Sequence, residues 1–208
     1  MSALLPLWSE LRRLREERVL LTVAIVTVAA LLLPFYAPFR PPALGRMLLG
    51  FGLPLVSLSL IRVKLRDVGF AWGQPKRWLR DVGVLYLCML PVLLVLAKST
   101  AVQHHYAQGD GTTTATFWTQ QLWTVGTLLS WEFVCRGYLM LTFEKRIGSA
   151  ALAVQLVPFV LLHIAKPLPE VLVAIPFGIV AGLLALRERS FLPGAVLHAA
   201  LAVTFAAL

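Results

Sequence analysis

Glu132, Arg136, His163 and His198 stand in apolar stretches where ionisable groups are expensive. At the centre of a spanning helix such a group costs about 2.5–3.5 kcal/mol even on the lenient insertion scale. Glu132 and Arg136 are four residues apart and share one helix face. His163 closes an apolar run, Lys166 and Glu170 follow in the connection after it, and His198 lies inside the last run. A carboxylate and an imidazole that reach one water can deprotonate it for attack on a carbonyl. A second imidazole can hold the developing oxyanion, and Arg136 would orient Glu132. That chemistry is peptide hydrolysis without a covalent intermediate. Two histidines and a glutamate also make a plausible zinc set, but no His-Glu-x-x-His is present, so the expectation is no cofactor, with a metal ion as the lesser alternative.

Each residue also has a purely structural alternative. Glu132 and Arg136 can be a self-neutralising buried pair. His163 can be an interfacial side chain, and Lys166 with Glu170 a pair of surface charges capping a loop. His198 has the least comfortable alternative, because a buried imidazole needs a partner for each ring nitrogen. His104 and His105 fall in a polar loop and read as solvent-exposed. Several costly groups on separate helices are better explained by one shared site than by separate accidents.

The elements that must position them are membrane helices. Of 208 residues, 59% are hydrophobic and 14% charged, with mean hydropathy +0.80. Soluble domains carry about 25% charged residues, so a water-facing enzyme is excluded. The formal charge of +9 does not imply nucleic acid, since no soluble basic face exists to hold it. Cys88 and Cys135 sit in apolar runs, so no disulfide framework is expected.

A crossing needs roughly 17–25 apolar residues. Runs are expected at Val19–Pro38, Met47–Ile61, Val82–Ala97, Phe117–Phe143, Ser149–His163, Pro169–Leu186 and Leu192 to the end. The fold class is therefore all-α: a polytopic transmembrane bundle of about seven spans. Residues 1–18 mix arginines and glutamates, with Leu4, Trp8, Leu11 and Leu14 at helical spacing. They read as an amphipathic interfacial helix rather than a signal peptide. Residues 19–98 form an amino-terminal group of spans with a basic loop at 62–81, and residues 117–208 form a core that carries the costly groups. With the amino terminus in the cytoplasm, fourteen of the 19 Lys and Arg lie on that side, as the positive-inside rule asks of a multi-pass inner-membrane protein.

Trp131-Glu132-Phe-Val-Cys-Arg136-Gly137, then Phe159-x-x-x-His163, then His198, resemble the three motifs of the CPBP family. These are the CAAX-processing and bacteriocin-processing intramembrane proteases. The segment Arg66-Asp-Val-Gly69-Phe70 resembles the family's usual approach to its core. The resemblance covers about residues 117–208 and implies a glutamate-dependent endopeptidase with its site inside a helical bundle. Two departures stand out. The family's first motif is Glu-Glu-x-x-x-Arg, and Trp131 replaces the first glutamate, usually assigned as the base. Its third motif is His-x-x-x-Asn, and Ala202 replaces the asparagine.

Trp-Glu-x-x-x-Arg-Gly with His-x-x-Lys-Pro-x-x-Glu resembles the myxosortase-like branch, which removes carboxyl-terminal sorting tails from exported proteins. That likeness implies Glu132 and His163 as the water-activating pair, His198 at the oxyanion, and Arg136 and Glu170 in support, with Glu170 replacing the missing carboxylate. The expected partner is a membrane-anchored protein or peptide in the lipid bilayer. The alternatives are a non-catalytic scaffold or immunity-type protein of the same fold, and a small transporter with a Glu/His proton relay.

Overall fold

The computed structural model describes residues 4–36, 39–106 and 114–208. No strand occurs among them, as expected of a chain whose backbone polar groups must be satisfied within each segment. The helices are α1 (Leu4–Tyr36), α2 (Pro42–Ile61), α3 (Pro75–Ala97), a short α4 (Thr100–Tyr106), α5 (Thr114–Glu132), α6 (Leu141–Ile147), α7 (Ala151–Leu161), α8 (Leu168–Glu188) and α9 (Leu192–Ala206). Proline at the first turn opens α2, α3, α8 and α9, where its missing N–H costs nothing. The all-α membrane bundle stands. Among the described residues, α2, α3, α8 and residues Arg13–Tyr36 of α1 are long and apolar enough to cross a bilayer.

Several boundaries differ from expectation. No break separates residues 4–18 from the first span, because α1 runs on for 33 residues. Residues 1–3 and the side chains of residues 4–12 lie outside the described part, and with them the stripe of Leu4, Trp8 and Leu11. α3 begins at Pro75, so Lys76, Arg77 and Arg80 belong to its first turns rather than to a loop. His104 and His105 are exposed as expected, but on α4; residues 107–113 of the same loop lie outside the described part. α7 has only 11 residues, a rise of about 16 Å at ~1.5 Å per residue. It therefore stops well short of crossing a hydrocarbon core about 30 Å thick.

The fourth run is one continuous rod with a change of winding inside it. Between α5 and α6, residues Phe133–Met140 form a π-helix, wholly buried, with the Leu141 N–H donating to the Arg136 carbonyl five residues back. Such wide turns are rare and mark functional sites. This one is the centre of the bundle and touches α1, α2, α5, α6, α7 and α8. Gly137 lets the 3₁₀ turn Leu65–Val68 approach, because a Cβ there would lie 2.6 Å from the Val68 carbonyl oxygen. Behind that turn, Phe70 packs on Phe133 (ring centroids 4.8 Å) and Phe191 (5.3 Å).

One end of the bundle is tied by ion pairs. Glu188, buried in α8, accepts from Arg77 (2.9 Å), Arg187 (2.8 Å) and the Gln74 N–H (2.9 Å). Arg187 also reaches Asp81 at 2.8 Å, Arg189 reaches Glu144 at 2.8 Å, and Lys145 reaches Asp67 at 3.5 Å. Arg146 lies 3.9 Å from Glu16. The segments 62–81, 144–146 and 187–189 and the start of α1 thus gather at the same end.

The Gly137 contact predicts a cost for any side chain. Gly137→Ala must displace the backbone of the 65–68 turn, a strain of about 1–3 kcal/mol. Thermal unfolding of the detergent-solubilised chain should show a lower midpoint for this variant and none for Gly52→Ala, whose added Cβ meets open space.

Candidate active site

Glu132 ends α5 at the mouth of the π-helix and is fully buried. Its Oε1 takes two donors: Arg136 Nη1 at 3.0 Å, one turn on, and His198 Nδ1 at 2.8 Å, from α9. Glu132 Oε2 is sealed from solvent without a hydrogen-bond partner. It points at Gly194, where a Cβ would stand 2.9 Å from it. α9 can bring His198 to the carboxylate only because Gly194, one turn earlier, has no side chain.

Arg136 is equally buried, and its Nε and Nη2 have no hydrogen-bond partner. Its guanidinium carbon stands over the Phe159 ring, 3.8 Å from the centroid, and 5.9 Å from that of Phe177. A desolvated cation on an aromatic face gains about 2 kcal/mol or more. Phe159 also places His163, whose Nδ1 lies 2.9 Å from the Phe159 carbonyl oxygen. A carbonyl only accepts, so Nδ1 carries the proton and Nε2 of the neutral ring presents a lone pair.

The two imidazoles meet. Their centroids are 6.3 Å apart with planes 22° from parallel, and Phe177 packs on His198 at 4.7 Å. His198 donates Nδ1–H to the carboxylate, so its Nε2 is also a lone pair in the neutral ring. Neither Nε2 has a protein partner among the described residues, and neither is among the sealed polar atoms. The carboxylate is closed off, while His198 keeps 13% of its side-chain surface. Glu132 therefore faces inward to hold His198, and the imidazole edges face outward.

The depth of the two histidines is settled by the short helices. A straight 15-residue fifth span would carry His163 to the far side. The actual α7 ends at Leu161, and His163 sits in the turn after it, level with a histidine six residues into α9. Gly178 and Gly182 let α8 press on α7. A Cβ at these sites would meet Leu156 at 2.6 Å and Leu152 at 2.3 Å. The spacing Gly178-x-x-x-Gly182 in an apolar run is a legible signal of close helix approach, and so is Gly194.

Glu170 stands apart from the Glu132 carboxylate. Its Oε2 accepts from the Tyr106 hydroxyl at 3.0 Å and from Lys166 at 3.4 Å. Burial and the neighbouring Glu170 carboxylate push the Tyr106 phenol well above its usual pKa, which keeps it a donor. The Lys166 N–H in turn donates to the His163 carbonyl at 2.9 Å, so Glu170 braces the turn that carries His163. Trp131 is half-buried in an apolar group with Leu162 and Phe177. Ala202 is half-buried on α9, one turn beyond His198. Among the described residues no three His, Cys, Asp or Glu side chains are grouped as metal ligands.

Glu132, Arg136, His163 and His198 lie together in one cluster. Residues 113–204 match the family model for type II CAAX prenyl endopeptidase Rce1-like. That family is one of peptide hydrolases. The matched stretch is under half of the chain, but it carries the whole cluster, and it supports an intramembrane CAAX-type endopeptidase of the CPBP kind. No curated protein and no solved structure matches the chain.

Gly194 and Phe159 serve the CAAX-protease-like cluster without titrating. Gly194→Ala should push Glu132 off His198 and lower peptide cleavage at least tenfold while the chain still folds. Phe159→Leu should lower it as well by freeing Arg136 and tilting His163. The check is cleavage of a fluorogenic membrane peptide, with circular dichroism to confirm retained helix.

Proposed function

We propose that this chain is an intramembrane endopeptidase of the inner membrane, its amino terminus cytoplasmic. Its substrates are membrane-anchored proteins, cut near a carboxyl-terminal hydrophobic anchor as in the myxosortase-like branch. The observation that carries the reading is the Glu132–His198 contact beside the His163 ring. A carboxylate on one imidazole nitrogen, with the other nitrogen facing outward, is the arrangement that makes histidine a general base.

Water held between the two Nε2 atoms gives one proton to His198 Nε2, and its oxygen attacks the scissile carbonyl carbon. Glu132 supports the resulting imidazolium through Nδ1. The C–N bond then breaks as His198 Nε2–H returns the proton to the leaving amine. This assignment differs from the oxyanion role expected of His198, because the tautomer that bonds Glu132 leaves Nε2 as an acceptor. It also places Glu132 behind His198 rather than on the water. Trp131 in place of a second glutamate costs such a mechanism nothing, since its base is an imidazole. Arg136 holds Glu132, and Glu170 braces the His163 turn through Lys166 and Tyr106. The basic end tied by ion pairs supports the cytoplasmic assignment of segments 62–81, 144–146 and 187–189.

Trp131 and Ala202 favour the second reading, a non-catalytic scaffold that binds a peptide in the bilayer. Single substitutions separate the two. Removing a general acid–base group typically costs 10²–10⁴-fold, so His198→Ala, His163→Ala and Glu132→Gln should each lower kcat for a carboxyl-terminally anchored substrate by about that factor. Glu170→Gln should cost less, about tenfold or under. The assay is the mobility shift of a tagged substrate coexpressed with the full chain. Unimpaired cleavage in all three variants would remove the site; a wild-type chain that binds the anchored peptide without releasing product would establish the scaffold.

A further inference from the structure

The basic residues that follow α1 at the ion-paired end fall into two sets. Arg77, Arg80, Lys145, Arg146, Arg187 and Arg189 each pair with a carboxylate. Arg62, Lys64, Arg66 and Lys76 are exposed, and among the described residues none has an ion pair or hydrogen-bond partner for its side chain. All four lie on one connection, between the end of α2 at Ile61 and the first turn of α3. Both helices are long and apolar enough to span, so their connection sits at the level of the lipid headgroups. Its one carboxylate, Asp67, is drawn to Lys145.

The same connection exposes apolar surface. Trp72 is 72% exposed and Phe70 39%, with Leu65 also exposed. Trp72 gives its carbonyl to the Trp78 indole at 2.8 Å, and Gly73 folds tightly against Glu188 at φ +61°. The backbone under the Trp72 ring is thus anchored while the ring stands free. Between Phe70, Ala71, Trp72, Phe191 and Leu192 lies an apolar notch of about 220 Å³. An exposed tryptophan over an apolar notch, on the same connection as four unpaired cations, matches a lipid, which offers a phosphate and an acyl chain together. A soluble acidic protein would use the cations and leave the notch and Trp72 in water.

We propose that residues 62–76 form a binding site for anionic phospholipid, with Arg62, Lys64, Arg66 and Lys76 around the phosphate and Trp72 with the Phe70–Leu192 notch against the upper acyl chain. It rests on the membrane placement of α2 and α3 and not on proteolysis, so the two readings fail separately.

The test is native mass spectrometry of the full-length chain released from detergent micelles holding equal phosphatidylglycerol and phosphatidylcholine. The wild type should retain phosphatidylglycerol at least tenfold over phosphatidylcholine. Each charge removed should weaken retention roughly fivefold, so Lys64→Gln and Lys76→Gln should act singly. The fourfold variant Arg62→Gln, Lys64→Gln, Arg66→Gln, Lys76→Gln should lose the preference. Trp72→Ala should reduce retention of both lipids while leaving the headgroup preference. None of the five side chains takes part in an ion pair, so melting midpoints in neutral detergent should stay at the wild-type value. Equal retention of the two lipids by the wild type overturns the proposal, as does an unchanged preference in the two single-lysine variants. Release of phosphatidylglycerol by an added acidic peptide, with no headgroup preference in its absence, assigns the patch to a protein instead.

Discussion

A single carboxylate oxygen organises the core of this bundle. Glu132 Oε1 is shared by Arg136 and His198 in a position closed to solvent. An ionised group so placed is tolerated only when paired and hydrogen-bonded. That requirement sets distances between helices. α9 must come close enough for His198 to reach α5, which Gly194 permits. Arg136 must be covered, and the Phe159 ring from α7 covers it. α7 in turn must lie against α8, which Gly178 and Gly182 permit. The π-helical stretch directly after Glu132 sits where these demands converge, buried against six helices.

Unequal helix lengths do the rest. A bundle of full-length crossings would separate a histidine at the end of one helix from a histidine near the start of another. Here α7 spends only 11 residues before turning, so the chain carries His163 beside His198 and then runs back along the longer α8. The turn is braced by Lys166 and Glu170, with Tyr106 of α4 donating to the same carboxylate. Polar groups that would be surface charges in a soluble protein serve as struts around a buried imidazole.

The charged end works by a different division. Carboxylates at Glu188, Asp81, Glu144 and Asp67 draw five cations into pairs that fasten loops to helix ends. Glu188 is the anchor, since its buried carboxylate accepts from two arginines and a backbone N–H. The cations left over beyond α1 lie together on one connection. Net charge alone does not distinguish the two sets.

The solvent and class of this protein are legible in the sequence, because apolar runs of spanning length have few stable alternatives in lipid. Glu132, Arg136, His163 and His198 stand out there as well, since ionisable groups in such runs are costly. Gly178, Gly182 and Gly194 were readable as close-approach positions, although what they approach was not. The tertiary structure decided the rest: the depth of His163, the sealing of Glu132 behind His198, the bracing place of Glu170, and which arginines are paired. Each is set by distances between segments far apart in the chain. Hydropathy and spacing describe one helix at a time, whereas a hydrogen bond from His198 to Glu132 fixes two helices 66 residues apart.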